Sequence, residues 1–112
     1  IKIAHSTLAQ GMLTAKYSLN SKFSTSDRRH RMELFSKKNL IKNFKKVSEL
    51  KKIANKYNTS TTVLSLSYLL NSKHVDSIIL GVKNFKQFQN NISCLNFKFN
   101  SSLEKKINSI FK

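Results

Sequence analysis

Two short apolar runs, Ile1-Lys2-Ile3-Ala4 and Val75 to Leu80, stand on either side of a long stretch that reads as loop and helix. Strands joined through helices pair in parallel, because a parallel ladder needs a crossover connection. Parallel strands are buried on both faces and so read as nearly continuous apolar runs. A parallel pair alone leaves both sheet faces and both outer edges open. The pattern therefore predicts an α/β fold in which residues 1–6 and 75–80 are buried strands separated by helices. It also predicts that this piece completes something larger.

Between the runs, residues 7–38 are polar, Ser-rich and charged, with Asp27-Arg28-Arg29-His30-Arg31 at their centre. They read as a long loop with one helical turn near Met32 to Phe35, and loops of this length are usually functional or disordered. Residues 39–57 carry a helical period, with Leu40, Phe44, Val47, Leu50, Ala54 and Tyr57 on one stripe. Lys42, Lys45, Glu49, Lys52 and Lys56 take the other side, and Glu49 can pair with Lys52. Asn58 suits a left-handed exit. Thr59 or Ser60 then caps a second helix reaching Leu70, apolar on most sides and so buried. After Gly81, Asn84 caps a helix to about Cys94. Ser101 and Glu104 form a capping box for a last helix carrying Leu103, Ile107, Ile110 and Phe111.

At 112 residues the chain holds one small domain. Ile1 opens directly in strand-like sequence, whereas clean domain boundaries fall in polar, flexible sequence; the expectation is a fragment. A net charge of +16 points toward polyanions. It equally fits a solvated surface shaped by AT-rich codons, since Lys, Asn, Ile, Phe and Ser are abundant while Gly numbers 2 and Pro 0. Cys94 stands alone, which excludes an internal disulfide and a thiolate zinc site; it reads as a small buried apolar residue and fits a reducing, cytoplasmic setting. No apolar run approaches the roughly 18 residues of a membrane span, and no signal peptide is visible.

Chemistry concentrates at few places. Gly81 follows a strand and precedes a helix N-terminus, where free N–H groups and the helix dipole favour anions. His5, His30 and His74 are isolated, without metal-ligand spacing, and Tyr17, Tyr57 and Tyr68 read as packing residues.

The stretch Ser6-Thr7-Leu8-Ala9-Gln10-Gly11-Met12-Leu13-Thr14-Ala15-Lys16-Tyr17, followed by Ile78-Ile79-Leu80-Gly81-Val82-Lys83-Asn84 and Gln87-Phe88-Gln89-Asn90-Asn91, resembles the last third of an aldo-keto reductase. The resemblance covers nearly the whole chain, in order and at family spacing. It implies the C-terminal part of a (β/α)8 TIM barrel, with Ile1–Ser6 as strand seven and Ser77–Leu80 as strand eight. Such barrels run to about 250 residues and often bind phosphate between the loops after strands seven and eight. Residues 1–112 would thus be a C-terminal fragment of one barrel domain, carrying the phosphate and adenine end of NADPH. The implied parent is an NADP-dependent aldo-keto reductase of aldehydes or ketones, whose catalytic Tyr, Lys, Asp and His would lie upstream.

On the same resemblance, Ser6, Thr7, Leu8 and Gln10 would wrap the pyrophosphate and nicotinamide ribose, Gly11 would keep that loop tight, and Lys16 would sit near the phosphates. Gly81 and Val82 would belong to the cofactor site and Lys83 would meet the 2′-phosphate, where a cation favours NADPH over NADH. Gln87, Asn90 and Asn91 would face the adenine, and Arg28 or Arg29 matches an Asp-x-Arg element. Three positions depart from the family pattern: Thr7 stands for proline, Ala15 for glycine and Asn90 for glutamate. The fragment alone would be inactive, with a carbonyl substrate met through the upstream part. Two other readings are a basic nucleic-acid module using Lys42, Lys45, Lys46, Lys51, Lys52, Lys56 and Arg28 to Arg31, and a non-catalytic relative such as the potassium-channel β subunits. The first lacks an aromatic-rich or helix-turn-helix signature, so no specific nucleic acid is expected.

Overall fold

The structure is a computed structural model describing residues 1–112. Strand β1 (Ile3–Ala4) pairs in parallel with β2 (Ser77–Ile78), Ile3 opposite Ser77 and Ala4 opposite Ile78. The two apolar runs are thus direct neighbours, as the resemblance implies. Each strand is shorter than its run and neither is buried: Ile3 and Ser77 are exposed, and Ala4 and Ile78 are half-buried. The expectation of buried strands fails for the reason that a two-strand sheet has no neighbour on either outer edge.

Helix α1 (Lys37–Lys56) starts at Ser36, whose hydroxyl accepts the Asn39 N–H, so it begins two residues earlier than its apolar period. Leu40, Val47, Leu50 and Ala54 are buried, whereas Phe44 at the rim of the stripe stays 36% exposed. Glu49 and Lys52 pair at 2.7 Å. Asn58 turns left-handed at φ 52°, and Ser60 caps α2 (Thr61–Leu70) by accepting the Val63 N–H at 3.1 Å. Every residue from Thr61 to Ser67 is buried. Asn84 caps α3 (Phe85–Ile92), which passes into a 3₁₀ turn, Ser93–Asn96, rather than continuing to Cys94. Helix α4 (Ser101–Phe111) is capped by Asn100, not Ser101: the Asn100 side chain accepts the Leu103 N–H at 2.8 Å. Residues 7–38 are more ordered than a loop, with 3₁₀ segments at Ala9–Thr14, Arg28–Arg31 and Glu33–Phe35.

The largest apolar cluster joins α1, α2 and α4 through Leu50, Ala54, Leu64, Leu103 and Ile107. A second, Met12 with Leu40 and Val47, holds the chain after β1 against α1. A third, Val63, Leu66 and Cys94, ties α2 to the turn after α3 and receives Leu8, Ile78 and Leu80 from the strand ends. Cys94 is therefore a core residue, and burial pushes its thiol pKa up. These clusters fix where the C-terminal ends of both strands open. No helix is long and apolar enough to cross a membrane.

Candidate functional site

The chain leaving β1 turns through the left-handed region repeatedly, at Ser6 (φ 53°), Ala9 (50°), Gln10 (55°) and Gly11 (91°). Glycine is required at Gly11: a Cβ there would lie 3.0 Å from the Tyr17 hydroxyl, on a backbone that L side chains rarely adopt. The Thr14 hydroxyl donates to the Gly11 carbonyl at 2.6 Å and closes the turn. Ala15 also sits at φ 60°, so the alanine that replaces the family glycine carries backbone strain. The chain leaving β2 runs through Gly81, Val82 and Lys83 to the Asn84 cap. Nothing lies within 4 Å of where a Cβ on Gly81 would stand.

These two exits enclose one open cleft of about 890 Å³. Every residue singled out by the resemblance lines it: Ser6, Thr7, Leu8, Gln10, Gly11 and Lys16 from the first exit, Arg28 and Arg29 from the connecting segment, Gly81, Val82 and Lys83 from the second exit, and Gln87, Asn90 and Asn91 from α3. His5, Thr14, Asp27, Thr62, Ile79 and Leu80 line it too and were not anticipated. Ile79 and Leu80 lay within the run read as a strand. Thr62 sits in a helix buried from Thr61 to Ser67, so nothing in the pattern separates it from core.

The cleft is electropositive, with Lys16, Lys83 and Arg28 exposed and outside any ion pair. Arg29 differs. Its Nε donates to Asp27 Oδ1 at 2.9 Å, its Nη2 meets Asp27 Oδ2 at 2.5 Å, and its Nη1 donates to the Tyr17 hydroxyl. Its guanidinium carbon lies 4.4 Å from the Phe23 ring centre. Tyr17, Phe23 and Phe35 pack edge-to-face around it. Hydrogen bonds from the Arg29 side chain and N–H hold the Asp27 carboxyl down at about 2, helped by the charges of Arg29 and Lys83. The carboxylate in turn raises the Arg29 pKa. Arg29 is thus committed to the loop, and Arg28 is the uncommitted cation of the pair.

The polar wall formed by α3 and α2 is of another kind. The Asn84 side chain accepts the Gln87 N–H and the Gln87 side-chain oxygen accepts the Lys83 N–H, both at 2.9 Å, a reciprocal capping arrangement that fixes the Lys83 backbone. Asn90 is exposed. Asn91 is only 5% exposed, yet its amide makes no hydrogen bond within the protein. Ser65 Oγ is the buried side-chain polar atom left without a partner, so the Asn91 amide, lining the open cleft, reaches solvent there and is available to a ligand.

The aldo/keto reductase family model matches residues 1–112. Aldo-keto reductase str7 from Strobilurus tenacellus is 30% identical over 96 residues, covering 86% of this chain and 29% of that protein. The glycerol dehydrogenase AKR11B4 from Gluconobacter oxydans superposes with a TM-score of 0.88 at 22% identity, covering 97% of this chain and 33% of that one. The chain spans about a third of the length of these relatives. Its fold is accordingly the α/β fold of that family, and with every residue inside the matching model, the chain belongs to the aldo/keto reductase family.

Proposed function

We propose that residues 1–112 are the C-terminal portion of one (β/α)8 barrel, β1 and β2 being its seventh and eighth strands, and that the cleft binds the adenine and phosphate end of NADPH. The single observation that carries this reading is the meeting of the two strand exits around one cleft, basic on one side and lined by the Asn90 and Asn91 amides on the other. An adenine nucleotide bearing phosphates fits that division. An asparagine amide pairs with the hydrogen-bonding edge of adenine, and Lys83 and Arg28 match a phosphate monoester. The room beside Gly81 suits close approach of the pyrophosphate.

The parent activity on this reading is reduction of an aldehyde or ketone to the alcohol, in the cytoplasm. When bound, NADPH supplies the hydride. The residues of this chain do no bond-making. Lys83 and Arg28 neutralise phosphate charge, Asn91 and Asn90 orient the base, and the turn at Gly11 shapes the wall along the ribose. Holding the cofactor at its far end fixes where its reactive ring can sit, the positioning component of catalysis. The proton donor belongs to the upstream strands.

Titration calorimetry of the chain with 2′,5′-ADP and 5′-ADP tests the reading. Saturable binding with a clear preference for the 2′-phosphorylated ligand supports it, and equal or absent binding removes it. Incubation with NADPH and a panel of aldehydes is expected to give no turnover.

A further inference from the structure

The outward side of α1 is a single file of lysines. Lys38, Lys42, Lys45, Lys52 and Lys56, with Glu49 between them, follow one another at steps of four and three residues, so they share one helix face. The row spans roughly 27 Å at the rise of an α-helix, and all five lysines are exposed. Glu49, the one acid of the helix, is taken up by Lys52 at 2.7 Å. Nothing else compensates the row, since of 21 Lys and Arg side chains only Arg29 and Lys52 take part in an ion pair. Where α1 meets α4, two further ammonium groups are steadied on rings, Lys46 5.7 Å from the Phe111 centre and Lys106 5.5 Å from that of Tyr57. No residue of α1 lines the cleft, so this positive charge lies outside the cofactor site.

We infer that this row is a docking surface for the phosphate backbone of a nucleic-acid duplex, held without regard to sequence. A duplex carries one negative charge per about 1.7 Å of axis, and each lysine that neutralises a phosphate releases condensed counterions. A straight row of cations on a helix is the complement of such a linear array. Contacts of this kind fix a protein on the backbone and read no bases, so the lack of a base-reading motif is no obstacle. A lipid surface fits less well. A helix lying in a bilayer interface buries its apolar face there, whereas α1 already packs Leu40, Val47, Leu50 and Ala54 into the protein core. Of its apolar residues only Ile41 and Phe44 are exposed. The row acts whether or not the cleft holds a nucleotide.

The test is fluorescence anisotropy of a labelled DNA duplex of about 20 base pairs, titrated with the full chain between about 50 and 200 mM salt. Substituting Lys38→Gln, Lys42→Gln and Lys45→Gln together keeps helix propensity and is expected to lower the slope of log K against log salt by about 3. A reference triple, Lys2→Gln, Lys73→Gln and Lys98→Gln, carries the same net charge with the row intact and is expected to keep the wild-type slope. Equal loss in the two triples means that net charge alone attracts the duplex and overturns the inference. So does a wild-type chain that leaves the duplex unbound, or that binds phosphatidylserine vesicles more tightly than the duplex. Should either triple fail to fold, the amide NMR spectrum of the wild-type chain decides. Signals from Lys38 to Lys56 are expected to shift on adding duplex, and shifts confined to Lys83, Gln87 and Asn90 place it in the cleft and overturn the inference.

Discussion

Arg29 meets both carboxylate oxygens of Asp27 from two residues away, Nε to Oδ1 at 2.9 Å and Nη2 to Oδ2 at 2.5 Å. The same carboxylate accepts the Arg29 backbone N–H at 2.9 Å, so one acidic side chain organises the whole 3₁₀ turn that follows. The turn places Arg29 against Tyr17 and Phe23, joining the end of the first exit to the middle of the connecting segment.

The pH behaviour of this knot follows from its sign. The folded pKa of Asp27 lies at about 2, below its ordinary value of 3.8. Its contribution to stability is therefore fully present above pH ~4 and is lost as pH falls through the folded value. Tyrosine fluorescence, undiluted by Trp since the chain has none, should report release of Tyr17 between those limits. Asp27→Asn should show the released signal already at neutral pH, and a wild-type signal there would show that charge is irrelevant to the knot.

Backbone strain yields a pair of opposite expectations. Gly11→Ala forces a Cβ onto φ 91° and against the Tyr17 hydroxyl, which should destabilise by about 1–3 kcal/mol. Ala15→Gly relieves a residue held at φ 60° and should stabilise by roughly 0.5–1 kcal/mol. Urea titration followed by circular dichroism measures both, and a stabilised Gly11→Ala would contradict the geometry.

Lys83 and Asn91 should separate by ligand. Lys83→Ala is expected to weaken 2′,5′-ADP by about 10-fold while leaving 5′-ADP nearly unchanged, a charge-assisted bond being worth about 1.5 kcal/mol or more. Asn91→Leu should weaken both equally, because the base is common to them. Loss of both ligands in Lys83→Ala would place that lysine elsewhere than at the 2′-phosphate.

The Cys94 thiol, 5% exposed and with its pKa raised by burial, should resist iodoacetamide in the folded chain and react fully in denaturant. Rapid alkylation under native conditions would mean that the α2–α3 junction opens readily.

Much of this was legible in the residues, and the failures have local causes. Ser60, Asn84 and Asn58 were readable because capping and left-handed exits depend on one residue's own chemistry. Asn100 took the cap expected of Ser101, since either side chain can reach the N–H presented there and only the backbone decides. The segment Ala9–Thr14 has no period to read: Gln10 and Gly11 break it with positive φ. Cleft membership was legible wherever a residue follows a strand end. It was hidden at Thr62, whose helix looks like core on every side. Commitment was hidden at Arg29, whose partners Asp27, Tyr17 and Phe23 differ in kind and span the loop.

The largest apolar cluster draws on α1, α2 and α4 and on neither strand. The ladder between β1 and β2 is itself held by few bonds, among them Asp76 N–H to Lys2 at 2.9 Å and Ile79 N–H to Ala4 at 2.9 Å, and it meets the helices through Ile78 and Leu80 in a smaller cluster. Warming should therefore peel the strands away first and leave a helical kernel. Amide protons at Ile79 would then trade for deuterium long before those of Leu64, in a molecule that comes apart from its rim inward.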